Sequence, residues 1–272
     1  MRLLSRNGKL LGHGDGLTLL GSEPSDFLYL TYFSDIRSIS GGYVDKPLIG
    51  PETEYTGTVR ELNTKLPAST EFPYYNSYPC IYPSGISTYS EYIRNIFNTK
   101  DTISVEVIQY VISLGGHWSN LTFTSSNDQS YFGAGINYWN TNRGRSLYFP
   151  GYVSTEEQPK IQPGYYEAYY DGKSSTAVLN SDSVLRRKLG ISHYAHVIDY
   201  KKNEVRGYID GVLAAVQPNA NGIFAAKDFY RVYLDTWGAT NARFTQFCIR
   251  RGDRSINSGL NYPVPETPYR SF

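Results

Sequence analysis

Polar and apolar positions alternate along much of this chain with a period of two, the period of a half-buried strand. The clearest stretch is Tyr194–Val216. Tyr194, His196, Ile198 and Tyr200 alternate with Ala195, Val197 and Asp199. Lys201-Lys202-Asn203-Glu204 turns the chain, and Val205, Gly207 and Ile209 then alternate with Arg206, Tyr208 and Asp210. Asp210-Gly211 is a dipeptide suited to a tight hairpin turn, because both central residues need positive φ. Val212–Val216 leaves that turn. Three alternating runs and two turn signals predict an antiparallel meander.

The same pattern predicts strands at Phe27–Ser34, Glu54–Leu62, Ser130–Trp139, Ser146–Phe149, Tyr165–Tyr170, Ser175–Leu179, Phe229–Asp235 and Arg243–Arg250. Thr102–Ile112 alternates through Val107 with Thr102, Ser104 and Glu106 outward. Its phase then slips at Val107-Ile108, which signals a bulge or a strand buried on both faces. Helices are few. Ile86–Phe97 places Tyr89, Tyr92, Ile93, Ile96 and Phe97 on one helical face, with Thr88 and Glu91 as a capping box. Ser181–Leu189 predicts two further turns of helix. The class is therefore all-β with minor helix.

Residues 1–26 are rich in Gly and Leu and predict an N-terminal arm or small hairpin around Asn7-Gly8. Residues 47–85 hold six prolines and five tyrosines and read as a long irregular crossing. Residues 261–272, with Pro263, Pro265 and Pro268, predict a tail extended over the surface.

Composition narrows the function classes. Twenty-six Lys and Arg against 25 Asp and Glu give a net charge of +1, so no strong field favours nucleic acid or an anionic membrane. No stretch is apolar enough to span a bilayer, and four glycines after Arg6 break the run a secretory signal needs. Two cysteines, Cys80 and Cys248, make neither a disulfide framework nor a four-ligand zinc site; two buried thiols are the expectation. The 26 tyrosines, 12 phenylalanines and 3 tryptophans are unusual. Several lie in Gly- and Pro-rich segments (Tyr74, Tyr75, Tyr78, Tyr82 and Tyr262), where they predict surface for association with further copies.

The segment HVIDYKKNEVRGYIDGVLAAV resembles the signature hairpins of laminin G-like domains in the concanavalin A-like lectin and glucanase superfamily. His196-Val197 and Tyr208-Ile209-Asp210-Gly211 carry the resemblance. Phe229–Asp235 stands where that family has its next strand, Arg243–Arg250 resembles its closing strand, and Thr102–Ile112 resembles the strand that pairs with it. The resemblance spans residues 85–260 and implies a two-sheet antiparallel jelly-roll sandwich. Residues 27–84 then form an irregular Pro- and Tyr-rich lead-in whose strands pack on the sandwich. Small laminin G-like proteins rich in Gly, Tyr and Asn occur among bacteriophage virion and tail proteins, and this sequence looks like that group. The resemblance implies a non-enzymatic structural or receptor-facing module of a virion, or otherwise an extracellular surface. Its partners would be other virion proteins, further copies of itself and host-surface glycan. A polysaccharide-degrading glycosidase or a cellular adhesion domain is the alternative.

The residues themselves carry little catalytic signal. A glycosidase needs two carboxylates across one cleft. Glu106 stands alone on its strand, and the adjacent Glu156 and Glu157 point to opposite faces of any strand. His193 and His196, three apart, also fall on opposite faces, so no metal or cofactor is expected. Asp199, Asp210 and Asp235 are too few for a calcium site of about 6–8 oxygens. Arg251-Gly252-Asp253 reads as an exposed turn after a strand. The strongest surface signal is Asn137–Arg145. Tyr138, Trp139, Asn140, Asn142, Arg143 and Arg145, with Tyr148 just beyond, combine aromatic faces with amide and guanidinium donors. That mixture suits either a sugar or a subunit contact.

Overall fold

A computed structural model describes residues 4–6, 9–11, 26–113, 119–125, 131–136, 146–149, 168–170, 173–175, 178–179, 190–202, 204–217, 229–235 and 241–269. Its strands, in chain order, are β1 (Leu4–Arg6), β2 (Lys9–Leu11), β3 (Phe27–Thr31), β4 (Ile36–Ile39), β5 (Gly42–Asp45), β6 (Thr53–Lys65), β7 (Pro79–Thr88), β8 (Ile103–Ser113), β9 (Ser119–Ser125) and β10 (Tyr131–Ile136). Then follow β11 (Ser146–Phe149), β12 (Ala168–Tyr170), β13 (Lys173–Ser175), β14 (Val178–Leu179), β15 (Gly190–Asp199), β16 (Glu204–Ile209), β17 (Val212–Gln217), β18 (Phe229–Asp235) and β19 (Asn241–Arg251). One α-helix, α1 (Glu91–Asn98), lies between β7 and β8.

Two sheets form the body. The first runs β3-β19-β8-β15-β16-β17-β14, and the second runs β11-β10-β9-β18-β7-β6 and continues into β5 and β4. Among the described strands every pairing is antiparallel except β10 with β11. A single bridge, Phe244 to Ile81, joins the sheets. Just beyond it β19 carries a bulge between Phe244 and Phe247, where its outer partner changes from β7 to β3. One apolar core draws on both sheets: Ile103, Val105, Val107, Tyr194, Ile198, Phe244, Phe247 and Ile249 from the first, Ile81, Ile86, Val232 and Leu234 from the second. The fold is an all-β two-sheet sandwich with minor helix: the alternation predicts the class, and the two-sheet arrangement is the one the family resemblance implies.

The expected meander is present. β15 pairs with β16 and β16 with β17, all antiparallel. Asp210 and Gly211 both have positive φ, 46° and 81°, as the tight turn requires. β1 and β2 pair antiparallel with Arg6 opposite Lys9, and Asn7-Gly8 lies outside the described residues.

Other expectations are corrected. The helix begins at Glu91, because Ile86–Thr88 completes β7 against β6 and β18. Its cap is Ser90, whose side chain accepts from the amide of Ile93, while Thr88 instead accepts from the amide of Ser90. Ile93, Ile96 and Phe97 are buried, but Tyr89 and Tyr92 are exposed. The Pro-rich crossing is mostly strand: β6 and β7 occupy 53–65 and 79–88, so the expected 84/85 boundary falls inside β7. Pro79 and Pro83 are tolerated despite lacking a donor, in a pairing with β6 that shifts register three times. On β8 the phase slip marks burial on both faces, since Ile103–Gln109 are all buried; the bulge lies opposite, on β19. Ser104 and Glu106 are therefore enclosed rather than outward. The tail is not a surface tail: Tyr262, Pro265 and Pro268 are buried. Of the five tyrosines expected at the surface, Tyr75 and Tyr262 are buried and only Tyr74 is largely exposed. The expected helix at 181–189 lies outside the described residues.

Candidate functional site

Among the described residues, a dense cluster of buried polar side chains sits on the outer face of the first sheet, the face turned away from the shared core. Alternation along β8 sends Val105 and Val107 to the core and Glu106 to the opposite face. Glu106 stands directly opposite Ala195 on β15 and Cys248 on β19, both small. The diagonal positions on those strands are His193 and Arg250, within reach of a glutamate across the ladder. His193 Nε2 lies 3.2 Å from Glu106 Oε2, and Arg250 Nη1 donates to Oε1 at 3.3 Å. Asp210 fixes His193 from behind by accepting its backbone amide at 2.8 Å.

The C-terminal segment closes the recess. Tyr262 donates its hydroxyl to Glu106 Oε1 at 2.7 Å, and Tyr269 donates to Oε2 at 2.9 Å. Glu106 is thus fully buried with four partners. Burial alone would raise its pKa. The hydrogen bond and electrostatic attraction of His193, the Arg250 guanidinium and the Tyr262 hydroxyl outweigh that and hold it below the ordinary carboxylate range. Burial, with the Glu106 charge beside them, pushes both tyrosine hydroxyls well above their ordinary value, so they remain donors.

A second polar knot adjoins the first. Gln246, in the β19 bulge, offers Oε1 to the hydroxyls of Tyr32 and Tyr75, each at 3.1 Å, and to the amide of Tyr269 at 3.4 Å. Tyr32 also reaches the carbonyl of Tyr269. The Arg250 guanidinium lies over the rings of Phe27 and Tyr269 at 4.8 and 5.4 Å. Arg206, on the same face, pairs with Glu204 and Asp253 and donates to Ser255. The Arg-Gly-Asp turn is therefore partly structural: Arg251 is exposed, but the Asp253 carboxylate is held by Arg206 and Ser255, which keep it below its ordinary range although burial opposes them.

No described groups of three or more His, Cys, Asp or Glu side chains converge in a way that could hold a metal. Asp199 instead closes its own turn, accepting from the amides of Lys201 and Lys202 and from Thr102. His193 and His196 fall on opposite faces, as spacing requires: His193 faces Glu106, and His196 pairs with Val105. Cys80 and Cys248 are buried free thiols. Of the candidate ligand loop, Tyr138, Trp139, Asn140, Asn142, Arg143 and Arg145 lie outside the described residues, and Tyr148 falls in β11.

No family profile and no curated protein sequence matches the chain. Solved structures do. A sialidase of Trypanosoma rangeli with 2,3-difluorosialic acid aligns at 10% identity and a TM-score of 0.45, covering 86% of this chain and 32% of the sialidase. The binding domain of botulinum neurotoxin serotype D aligns at 12% identity and a TM-score of 0.46, covering 85% of this chain and 50% of that one. The serotype C1 binding domain gives 9%, 0.45, 85% and 49%. The chain thus spans about a third to a half of these proteins, and at such TM-scores the likeness carries no functional argument. Among the described residues no helix is long and apolar enough to cross a membrane.

Sequence reasoning missed the Glu106 cluster because its members are far apart in the chain. Glu106 is 87 residues from His193, 144 from Arg250, 156 from Tyr262 and 163 from Tyr269. The one signal was a lone glutamate in a strand whose phase slip left open a bulge or burial on both faces.

Proposed function

We propose that the chain is a non-catalytic β-sandwich module, a structural or receptor-facing part of a phage-like particle that binds host-surface glycan. The observation that carries the non-catalytic reading is the state of Glu106. It is the one carboxylate in the buried cluster with His193, Arg250, Tyr262 and Tyr269 among the described residues, and both its oxygens are engaged by two donors each. An acid catalyst needs a pKa near the working pH and a path to the substrate. Glu106 has a lowered pKa and no exposed surface. None of the hydrogen bonds of this cluster brings in the second carboxylate that a glycosidase requires.

The particle and glycan parts rest on sequence. The meander resembles laminin G-like domains, the composition rich in Gly, Tyr and Asn is similar to that of small phage virion proteins of that kind, and Tyr138, Trp139 and their neighbouring amides and guanidinium groups suit a sugar face. Two assays test the reading on the full chain. A glycan array should give binding that falls at least tenfold in Trp139→Ala, and a reducing-sugar assay on the bound glycans should show no release. Sugar release that disappears in Glu106→Gln would refute the non-catalytic reading. An array that stays blank would refute the glycan reading.

A further inference from the structure

The segment that seals Glu106 is hydrogen-bonded at its ends and held between them by packing alone, with Pro265 and Pro268 buried and Val264 against the cluster of Ile108 and Ile191. Tyr262 donates its amide to the Gly211 carbonyl at 2.9 Å and its hydroxyl to Glu106. Tyr269 is held through its hydroxyl, amide and carbonyl by Glu106, Gln246 and Tyr32. Between them Pro263, Pro265 and Pro268 have no N–H to offer, and residues 263–268 make no main-chain pairing among the described residues. The recess beneath is built without the tail: Glu106, His193, Arg250 and Gln246 all come from β8, β15 and β19.

The turn that aims this strap back at its own sandwich is strained. Asn257, Ser258 and Gly259 are consecutive residues with φ of 51°, 56° and 90°. The left-handed region is easy for Gly, tolerable for Asn and unfavourable for Ser, and three in succession are rare. The turn is clamped by the Ile256 amide on the Asn261 carbonyl at 2.8 Å and by the Tyr208 hydroxyl on the Gly259 carbonyl at 2.8 Å. Strained short hinges favour exchange of the segment they carry, because opening the hinge relieves the strain while every other contact is remade on a partner.

We propose that the strap exchanges between two copies of this chain. Residues 256–261 open into an extended hinge. Tyr262 and Tyr269 of one copy then seat on Glu106, Gln246 and Tyr32 of the other, and the reverse. Each copy completes the other's buried cluster, with no bond made or broken covalently. The cost is the lost freedom of association together with the hydrogen bonds that clamp the closed turn, from Ile256, Leu213 and Tyr208, so exchange rises with concentration and requires transient release of the strap.

The test is refolding of the full chain from urea at low and high concentration, read by size-exclusion chromatography with light scattering. The expected result is a dimer that accumulates at high concentration and reverts slowly on dilution. Ser258→Gly, which relieves the closed turn, should lower the dimer fraction several-fold. Deleting Asn257 and Ser258, so that the turn cannot close, should make dimer the main species. A complementation arm guards against variants that merely fold poorly. Glu106→Gln chains and Tyr262→Phe/Tyr269→Phe chains are refolded separately and together. In a mixed pair the intact tail of the first seats in the intact recess of the second, so heterodimer should form and outlast either variant's own dimer on dilution. Monomer at every concentration, a dimer fraction unchanged by Ser258→Gly, or no heterodimer on co-refolding would each overturn the proposal. These outcomes do not depend on whether the chain binds glycan.

Discussion

Asp45 offers a sharp test of how burial acts in this sandwich. It ends β5, is fully buried, and uses only one oxygen: Oδ2 accepts from Thr31 Oγ1 at 2.5 Å, while Oδ1 has no partner. Burial raises its pKa from an ordinary 3.8 to about 6; the Thr31 hydrogen bond opposes the rise, and the charge of Asp35 adds to it. Between those two values the folded chain holds a proton that the unfolded chain has released. Stability therefore falls as pH climbs through that window. A shift of about two pKa units, at roughly 1.4 kcal/mol each, amounts to about 3 kcal/mol, full below about pH 3 and lost by about pH 7. Asp45→Asn removes the titration. The amide brings a pH-independent cost of its own, so the informative quantity is the wild-type stability minus the variant stability at each pH, from which that constant and every shared titration drop out. Urea unfolding at pH 3, 4, 5, 6 and 7 should show this difference falling by about 3 kcal/mol as pH rises. A flat difference would mean that Asp45 is not desolvated as argued. A difference that rises with pH would mean that a cation stabilises the carboxylate.

Glu106 behaves in the opposite sense. Its lowered pKa makes its contribution present above the ordinary value of 4.5 and lost as pH falls below it, so the difference between wild type and Glu106→Gln should shrink in acid. Tyr262→Phe removes one hydrogen bond to that buried charge and should cost about 1.5–3 kcal/mol in chemical denaturation. Burial pushes the Cys80 thiol up to about 12 and the Cys248 thiol well above its ordinary value, so a thiol-reactive dye should label neither in the native state and both in denaturant. Rapid native labelling of either one would contradict the packing described.

The local elements were largely legible because their signals are local. The 194–216 alternation and the Asp210-Gly211 turn need only neighbouring residues, and β18 and β19 fall within two residues of the segments that the pattern marked. Period two says that two faces differ; it does not say what covers each. Glu106 read as outward because polar residues in a strand usually meet water, and only the return of a tail more than 150 residues away buries it. The prolines of that tail read as an extended surface run. Tertiary packing made them a strap, because two tyrosines could meet a carboxylate already charged by its cross-strand neighbours. The helix start also moved for a non-local reason: Ile86–Thr88 has a helical pattern, but pairing with β6 and β18 satisfies its backbone better than one more turn would. Sequence alone thus determined the 194–216 meander with its Asp210-Gly211 turn and most of β3, β6, β8, β18 and β19, while β4, β5, β7 and β9 carried no strand signal that stood out locally. Which carboxylate is enclosed, by which cross-strand neighbours and under which tyrosines, was decided by register and closure, and these depend on residues that the chain keeps far apart until it folds.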